Sequence, residues 1–218
     1  MSRINRSSYI YDGCVVHARL QLNNGEFHFK TKSHFKLWRK ITLRYLAKFK
    51  SVKLTGYQWM SNHCHLTLEA EKAKDLSKFM HDMSWRFAFE FNKIQNRKGH
   101  LFQNRFRCSV IDTNEYEQTV QRYMYRNQVR AGMVSHVKQT RWSSYHFYAY
   151  GKKDALITPF RNFENFGLKE KIRKLEFRRF VETMMGHEEK LWQAKLAHPI
   201  LKTKKDILKN YLIKTGYG

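Results

Sequence analysis

Two histidines separated by one residue, His63 and His65, are the side chains of this sequence best suited to hold a metal ion. The composition of residues 63–70 predicts a strand. Successive side chains of a strand project to opposite faces, so both imidazoles face one side and Cys64 faces the other as a small apolar residue. Two imidazoles on a rigid strand supply half of a metal site, although a His-x-His pair also arises by chance.

A tyrosine and an asparagine four residues apart, Tyr123 and Asn127, form the second group that could do chemistry. In a helix they lie one above the other on the same face, where a phenol and a carboxamide could face the two histidines. A tyrosine in an amphipathic helix also serves as core packing, so the case depends on the combination. Tyr125, two residues after Tyr123, projects from roughly the opposite side of the same helix.

The elements that would position these groups follow the order β-α-β-β-α-β, with one more helix after them. Strands are predicted at 9–22, 52–60, 63–70 and 101–112, and helices at 35–49, 73–96 and 113–132, the last capped by Thr113. This order is typical of an α+β fold, a ferredoxin-like or RRM-like antiparallel sheet with helices on one face. The opposite face would remain available for a substrate.

The charge of the chain predicts a polyanionic partner. Among 218 residues there are 42 Lys and Arg against 18 Asp and Glu, a formal net charge of +24. Lys and Arg that neutralise phosphates release counterions, which favours nucleic acid. A hydrophobic content of 42% excludes a wholly disordered chain. Neither a membrane span nor a signal peptide is evident, so a cytoplasmic, nucleoid-associated protein is expected.

A division near residue 150 is predicted from a change in composition. Residues 1–150 carry a net charge of +16 and read as one domain, whereas 151–218 carry +8 and read as a basic extension of two or three helices. An apolar stripe in the extension is expected to pack on the main domain; it consists of Leu175, Phe177, Phe180, Val181, Met184 and Met185.

Four segments of residues 8–150 resemble, in the same order, the motifs of single-tyrosine HUH transposases. Residues 60–66 are similar to the motif histidine, hydrophobic residue, histidine; residues 101–106 to a Leu-Trp-Gln-x-Arg-Phe strand; residues 123–134 to the tyrosine helix; and residues 142–145 to the segment that closes the domain. The group most similar is the REP-associated tyrosine transposases. The chain departs from the family where Cys64 fills the hydrophobic position and Gln128 replaces a usual proline.

The resemblance implies an enzyme that cleaves single-stranded DNA through a covalent intermediate. Tyr123 would attack the scissile phosphate and become joined to the 5′ phosphate, and a second DNA 3′-hydroxyl would rejoin the strands without ATP. His63, His65 and Asn127 would hold one Mg²⁺ or Mn²⁺, and the two imidazoles favour Mn²⁺ as an alternative because Mg²⁺ prefers oxygen. No GxxxxGK[ST] motif occurs, consistent with the absence of a nucleotide cofactor.

Recognition of DNA would depend on charge and stacking. The partner implied is single-stranded DNA with palindromic hairpins, bound by a monomer or a homodimer that has no membrane contact. The candidate DNA-binding residues are Arg105 and Arg107 beside the site, Arg130 after the tyrosine helix, and Lys171 and Arg178 in the extension.

Two other functions remain open from the sequence. A non-catalytic RRM-like module would bind RNA or DNA on its sheet, with incidental histidines, and fold alone does not separate it from an enzyme. A metal-dependent hydrolase without a covalent step is the third. The paired histidines together with the tyrosine and asparagine favour the transposase, because binding alone does not require them.

Overall fold

The structure, a computed structural model, describes residues 9–26 and 28–183 and confirms the predicted order of elements. The strands are β1 (Val15–Gln21), β2 (Val52–Trp59), β3 (His63–Ala70) and β4 (Arg107–Ile111). The helices are α1 (Lys32–Lys48), α2 (Ala73–Ile94), α3 (Asn114–Arg130), α4 (Tyr145–Tyr150) and α5 (Glu170–Glu182). Met184, Met185 and any helix predicted after them lie outside the described residues.

The four strands form one antiparallel sheet in the order β2-β3-β1-β4. The ferredoxin-like α+β prediction is therefore confirmed. The pairing of β1 with β3 sets His17 opposite Thr67 and Gln21 opposite His63. Because side chains alternate along each strand, the polar residues of both strands share one face of the sheet.

The other face of the sheet packs against α1 and α2 and forms the main hydrophobic core. Cys64, Leu66 and Leu68 of β3 are buried in this core, as the alternation of the strand predicts. Trp38 of α1 meets Phe87 of α2 edge to face, with ring centroids 4.5 Å apart. Burial of large aromatic side chains contributes most to such a core, which gives the histidine strand a rigid support.

Two predicted strands are shorter than expected. The chain bends at Gly13, which has a φ of +81°, and Cys14 donates to the carbonyl of Tyr11, so β1 begins only at Val15. The prediction of a strand over 101–112 is wrong for its first half. Residues 101–106 make only one isolated bridge, between Leu22 and Phe102, and contribute buried side chains without regular pairing.

The polar face is not fully open, because α3 lies across it. Gln121 of α3 donates to the Thr67 hydroxyl at 2.9 Å, and Thr67 projects from the face opposite to Leu66 and Leu68. A second hydrophobic cluster joins α3, α4 and α5, and its largest members are Tyr125, Tyr145, Tyr148, Phe160 and Phe177. None of the described helices has the length and apolarity that a membrane crossing requires.

Candidate active site

His65 stands at the centre of a polar cluster between the sheet and α3. It is buried, and burial, followed by the neighbouring His17 and His63, holds its pKa well below the usual range. Burial and the charge of Arg19 lower the pKa of His63 to about 4. Both imidazoles are therefore neutral at pH 7, which is the form that carries a free lone pair.

Tyr123 and Asn127 of α3 both reach His65. The Asn127 amide Nδ2 lies 3.1 Å from His65 Nε2, and the Tyr123 ring stands edge-on to the His65 ring with centroids 5.9 Å apart. One chain therefore brings together the histidine strand and the tyrosine helix. Arg130 lies above the Tyr123 ring, 5.1 Å from its centroid.

His17 of β1 belongs to the same cluster, although it lies outside all of the motifs in the sequence. Its Nε2 lies 2.9 Å from His65 Nδ1, and burial, Arg19 and His63 lower its pKa to about 3. With the Asn127 amide oriented as it is, its Nδ2 donates to His65 Nε2, which places the His65 proton on Nδ1, facing His17 Nε2. The sequence does contain one indication of this role: side chains alternate between the two faces along β1, and this alternation places His17 on the polar face once β1 pairs with β3.

The position of α3 depends on close polar contacts with the sheet. The side chain of Gln121 lies over Gly56, and a Cβ added to Gly56 would collide with the Gln121 amide. The Gln121 Nε2 also lies 3.4 Å from the carbonyl oxygen of Thr55. Gln128 donates to the carbonyl of Trp59 at 3.1 Å. The residue that replaces the family's proline thus connects α3 to the end of β2, and the helix continues to Arg130.

Tyr125 has a different environment from Tyr123. It is fully buried in the second hydrophobic cluster, and its hydroxyl lies 2.9 Å from Ser144 Oγ. Burial raises the pKa of the Tyr125 phenol well above its usual value, whereas the Ser144 hydrogen bond opposes this rise. Tyr125 therefore has the contacts of a packing residue.

The residues present fit a divalent metal ion with mixed ligands. No group of three or more His, Cys, Asp or Glu suited to a metal occurs within residues 9–26 and 28–183. The available donors are the neutral imidazoles of His63 and His65, whose ring centroids lie 4.8 Å apart, and the Asn127 amide, whose oxygen would face His65 after a half-turn of the amide. Imidazole and oxygen donors together suit Mn²⁺ and, less well, Mg²⁺.

The candidate DNA-binding residues fall in three places. Arg105 and Arg107 are exposed and line a small pocket with Arg19 and Gln21, beside the strand end that pairs with His63. Arg130 lies over Tyr123.

The extension's two candidates lie on α5. Lys171 is exposed there, and the Arg178 guanidinium lies 5.1 Å from the Tyr150 ring centroid. The contacts that the structure gives for Lys171 and Arg178 do not join them to the histidines.

Comparison with known proteins agrees with the fold and identifies the family. Residues 13–127, more than half of the chain, match the family model described as "Transposase IS200 like". The class to which the protein belongs is thus that of the transposases, enzymes that cleave DNA and recombine it. More narrowly, the chain belongs to the IS200-like transposase family.

One solved structure that is similar is described as "Structure of the REP associates tyrosine transposase bound to a REP hairpin". It shares 20% sequence identity with this chain and superposes with a TM-score of 0.58 over 74% of this chain and 96% of that one. This likeness supports the fold. The comparison with curated proteins gave no match.

Proposed function

We propose that this transposase cleaves and rejoins single-stranded DNA at palindromic hairpins, with Tyr123 as the nucleophile and His63, His65 and Asn127 as metal ligands. The observation that carries the proposal is the meeting of Tyr123 and Asn127 with His65 within one chain. The metal, Mg²⁺ or Mn²⁺, would polarise the scissile phosphate and stabilise the departing oxygen.

The Tyr123 phenol oxygen attacks the phosphorus, a bond to the 5′ phosphate forms, and the bond to the 3′ oxygen breaks. The phenol proton is lost and the departing 3′ oxygen gains one, so neither water nor ATP is consumed. Arg130, whose guanidinium lies 5.1 Å from the ring centroid, attracts the phenolate that develops. Attack by a 3′-hydroxyl on the phosphotyrosine reverses the step and joins strands.

The proposed substrate agrees with the charge distribution and with the structural relative. That relative is bound to a REP hairpin according to its description. Arg105 and Arg107, exposed beside the strand end near His63, are placed to contact phosphates close to the cleaved bond. Arg19, in the same pocket, adds to the positive charge there.

The nucleophile is tested with a labelled single-stranded hairpin and Mn²⁺, followed by denaturing electrophoresis. The Tyr123→Phe protein should form no covalent adduct, because it lacks the attacking oxygen. The Tyr125→Phe protein is the matched control and should keep the adduct, since it loses only the hydrogen bond to Ser144, worth about 1 kcal/mol. An adduct that survives in Tyr123→Phe would refute the assignment.

The same assay separates the transposase from the two alternatives. A chelator should abolish adduct formation while the protein still binds the hairpin through its Lys and Arg residues. Binding without cleavage in any metal would instead support an RRM-like binding module. Metal-dependent cleavage without an adduct would support a hydrolase that uses water.

A further inference from the structure

A cleft of about 640 Å³ opens at the β2 edge of the sheet. Its walls are Arg39 of α1, residues 138–143, part of α4 and residues 152–154. The active site, by contrast, lies over β1 and β3. Ser143 forms an isolated bridge with Gln58 of β2, so it occupies the position of a further strand beside β2. Since neighbouring strands lie about 5 Å apart, this wall of the cleft is about 10 Å from β3.

The walls of the cleft are held by specific hydrogen bonds. Asp154 accepts a hydrogen bond from the Tyr57 hydroxyl at 2.7 Å and pairs with Arg39, also at 2.7 Å. His146 Nε2 lies 2.8 Å from the carbonyl of Thr140. These contacts tie the segments on both sides of α4 to the core, so the cleft exists before any ligand arrives.

The cleft is strongly positive. Four of its cations have no carboxylate within ion-pair distance in the part of the chain that the structure describes; they are Lys138, Arg141, Lys152 and Lys153. The carboxylate of Asp154 is already paired with Arg39. Burial, together with the charge of Lys152, lowers the pKa of His146 although the Thr140 carbonyl opposes this, so His146 adds no charge at pH 7.

A neighbouring surface extends the positive field. The 17 residues of α1 contain six Lys and Arg and no Asp or Glu. Four of these, Lys32, Lys36, Lys40 and Arg44, follow one another at intervals of four residues and are exposed. Residues so spaced lie along one face of the helix, and the same helix contributes Arg39 to the wall of the cleft.

We propose that this cleft binds the backbone of the single-stranded DNA that flanks the substrate hairpin, at a place separate from the cleaved bond. The inference rests on the proposed function, because it takes DNA as the substrate. A pocket of this size accommodates a ligand of about one or two nucleotides. An intact duplex is too wide to enter it, whereas one strand can lay its phosphates between Lys and Arg side chains.

The test compares the full chain with a Lys152→Gln/Lys153→Gln variant, whose two changed side chains are exposed. Binding is measured by fluorescence anisotropy at several salt concentrations, with one hairpin that carries a single-stranded flank and one that does not. For the flanked hairpin the variant should bind about tenfold more weakly, and its salt slope should fall by about 1.4, since each single-strand phosphate contact contributes ~0.7. For the hairpin without a flank, the two proteins should have equal Kd.

The matched control is Lys74→Gln/Lys98→Gln, which removes two exposed cations from α2 and the turn after it and should leave both Kd values unchanged. Three results would each overturn the inference. The cleft variant could bind the flanked hairpin as tightly as the wild type, or it could lose as much affinity for the hairpin without a flank. The control variant could also lose as much affinity as the cleft variant. Adduct formation is followed in parallel. If the wild-type protein forms the adduct but the cleft variant binds DNA as the wild type does, only the inference about the cleft is refuted. If the wild-type protein forms no adduct, the proposed function is refuted.

Discussion

His17 shows how one residue outside the motifs can set the geometry of a proposed metal ligand, His65. The Nε2 of His17 lies 2.9 Å from His65 Nδ1, a contact that holds the other ring nitrogen of His65, Nε2, directed at Asn127. The two rings are nearly parallel, with an interplanar angle of 7°. Partners of this kind fix the orientation and tautomer of a ligating histidine, and their loss typically weakens metal affinity by about 10–100-fold.

We expect His17→Ala to weaken Mn²⁺ binding by about 10–100-fold, because His65 can then rotate. His17→Gln keeps an amide near His65 and should recover part of the affinity. The measurement is Mn²⁺ titration followed by electron paramagnetic resonance, below the unfolding temperature. His34→Gln, at another buried histidine on α1, is the control and should not change affinity. Equal affinity in wild type and His17→Ala would show that His17 only fills space.

Glu117 of α3 is a buried carboxyl that the proposed chemistry does not use. Burial raises its pKa to about 7, against the opposing charge of Arg161, while Glu69 adds to the rise. The folded protein therefore holds this proton at pH values where the unfolded chain, with an ordinary pKa near 4.5, has released it. The contribution of this carboxyl to stability consequently falls as pH rises from about 4.5 to about 7 and is then constant.

Glu117→Gln removes that cost and should stabilise the protein at pH 8 by about 3 kcal/mol, the equivalent of the pKa shift. Near pH 4 the two proteins should have similar stability, because the carboxyl is then protonated in both states. Urea denaturation at the two pH values measures the difference. A stability difference that does not depend on pH would contradict the assigned titration.

At the scale of elements, the tyrosine helix is held on the sheet by polar contacts. Gln121 sits above Gly56 and hydrogen-bonds Thr67, and Gln128 reaches the end of β2. On the far side, Arg126 donates to the carbonyls of Val181 and Glu182 at the end of α5, at 3.1 and 2.9 Å. The place of Tyr123 thus depends on a glycine in one strand and on the last turn of another helix.

Gly56→Ala should lower the free energy of unfolding by about 1–3 kcal/mol and slow adduct formation, because the new methyl group pushes Gln121 and α3 away from the sheet. In a Gln121→Ala background the same change should cost less, since of the two side chains that the new methyl group meets only the Thr67 hydroxyl is left. A double-mutant cycle by urea denaturation measures this coupling. Additive effects would mean that the collision does not position α3.

The sequence was informative wherever structure is local. The spacing from Leu76 to Phe91 predicted α2, Thr113 predicted the start of α3, where its hydroxyl accepts from Tyr116 N, and alternation predicted the shared face of His63 and His65. These features depend on residues within one or two turns of each other, so composition and period suffice to find them.

Features that depend on tertiary pairing were missed. His17 meets His65 only because β1 lies beside β3, a contact over 48 residues of sequence. The shortened β4 follows from the packing of Leu101 and Phe106 into the core, which resembles a strand pattern in the sequence. The choice of Tyr123 over its rival Tyr125 as nucleophile rested on the Asn127 that follows Tyr123 by four residues, and it remains a prediction.

At the scale of the molecule, α3 belongs to two packed regions at once. Its polar side meets the sheet, and its apolar side enters the cluster formed with α4 and α5. Phe177 of α5 contacts the rings of Tyr125, Tyr145 and Tyr148. The division near residue 150 stays a prediction, and these contacts indicate that residues 151–182 unfold together with α3.

Phe177→Ala should lower the free energy of unfolding by about 3–5 kcal/mol, because it opens a cavity in the aromatic cluster. Tryptophan fluorescence and far-ultraviolet circular dichroism should still report one coincident transition. The control is Ile172→Ala, an exposed position on the same helix, which should cost less than about 0.5 kcal/mol. Two separate transitions in wild type would instead show that α5 unfolds independently.

The long-range contact between β3 and α3 has a consequence for synthesis of the protein. Asn127 follows His65 by 62 residues, and a ribosome that adds about 5–20 residues per second needs about 3–12 s for that distance. A nascent chain therefore emerges with its histidine pair several seconds before its tyrosine. Under the proposed function, the chain then carries its proposed metal ligands on β3 but not yet the tyrosine that would attach it to DNA.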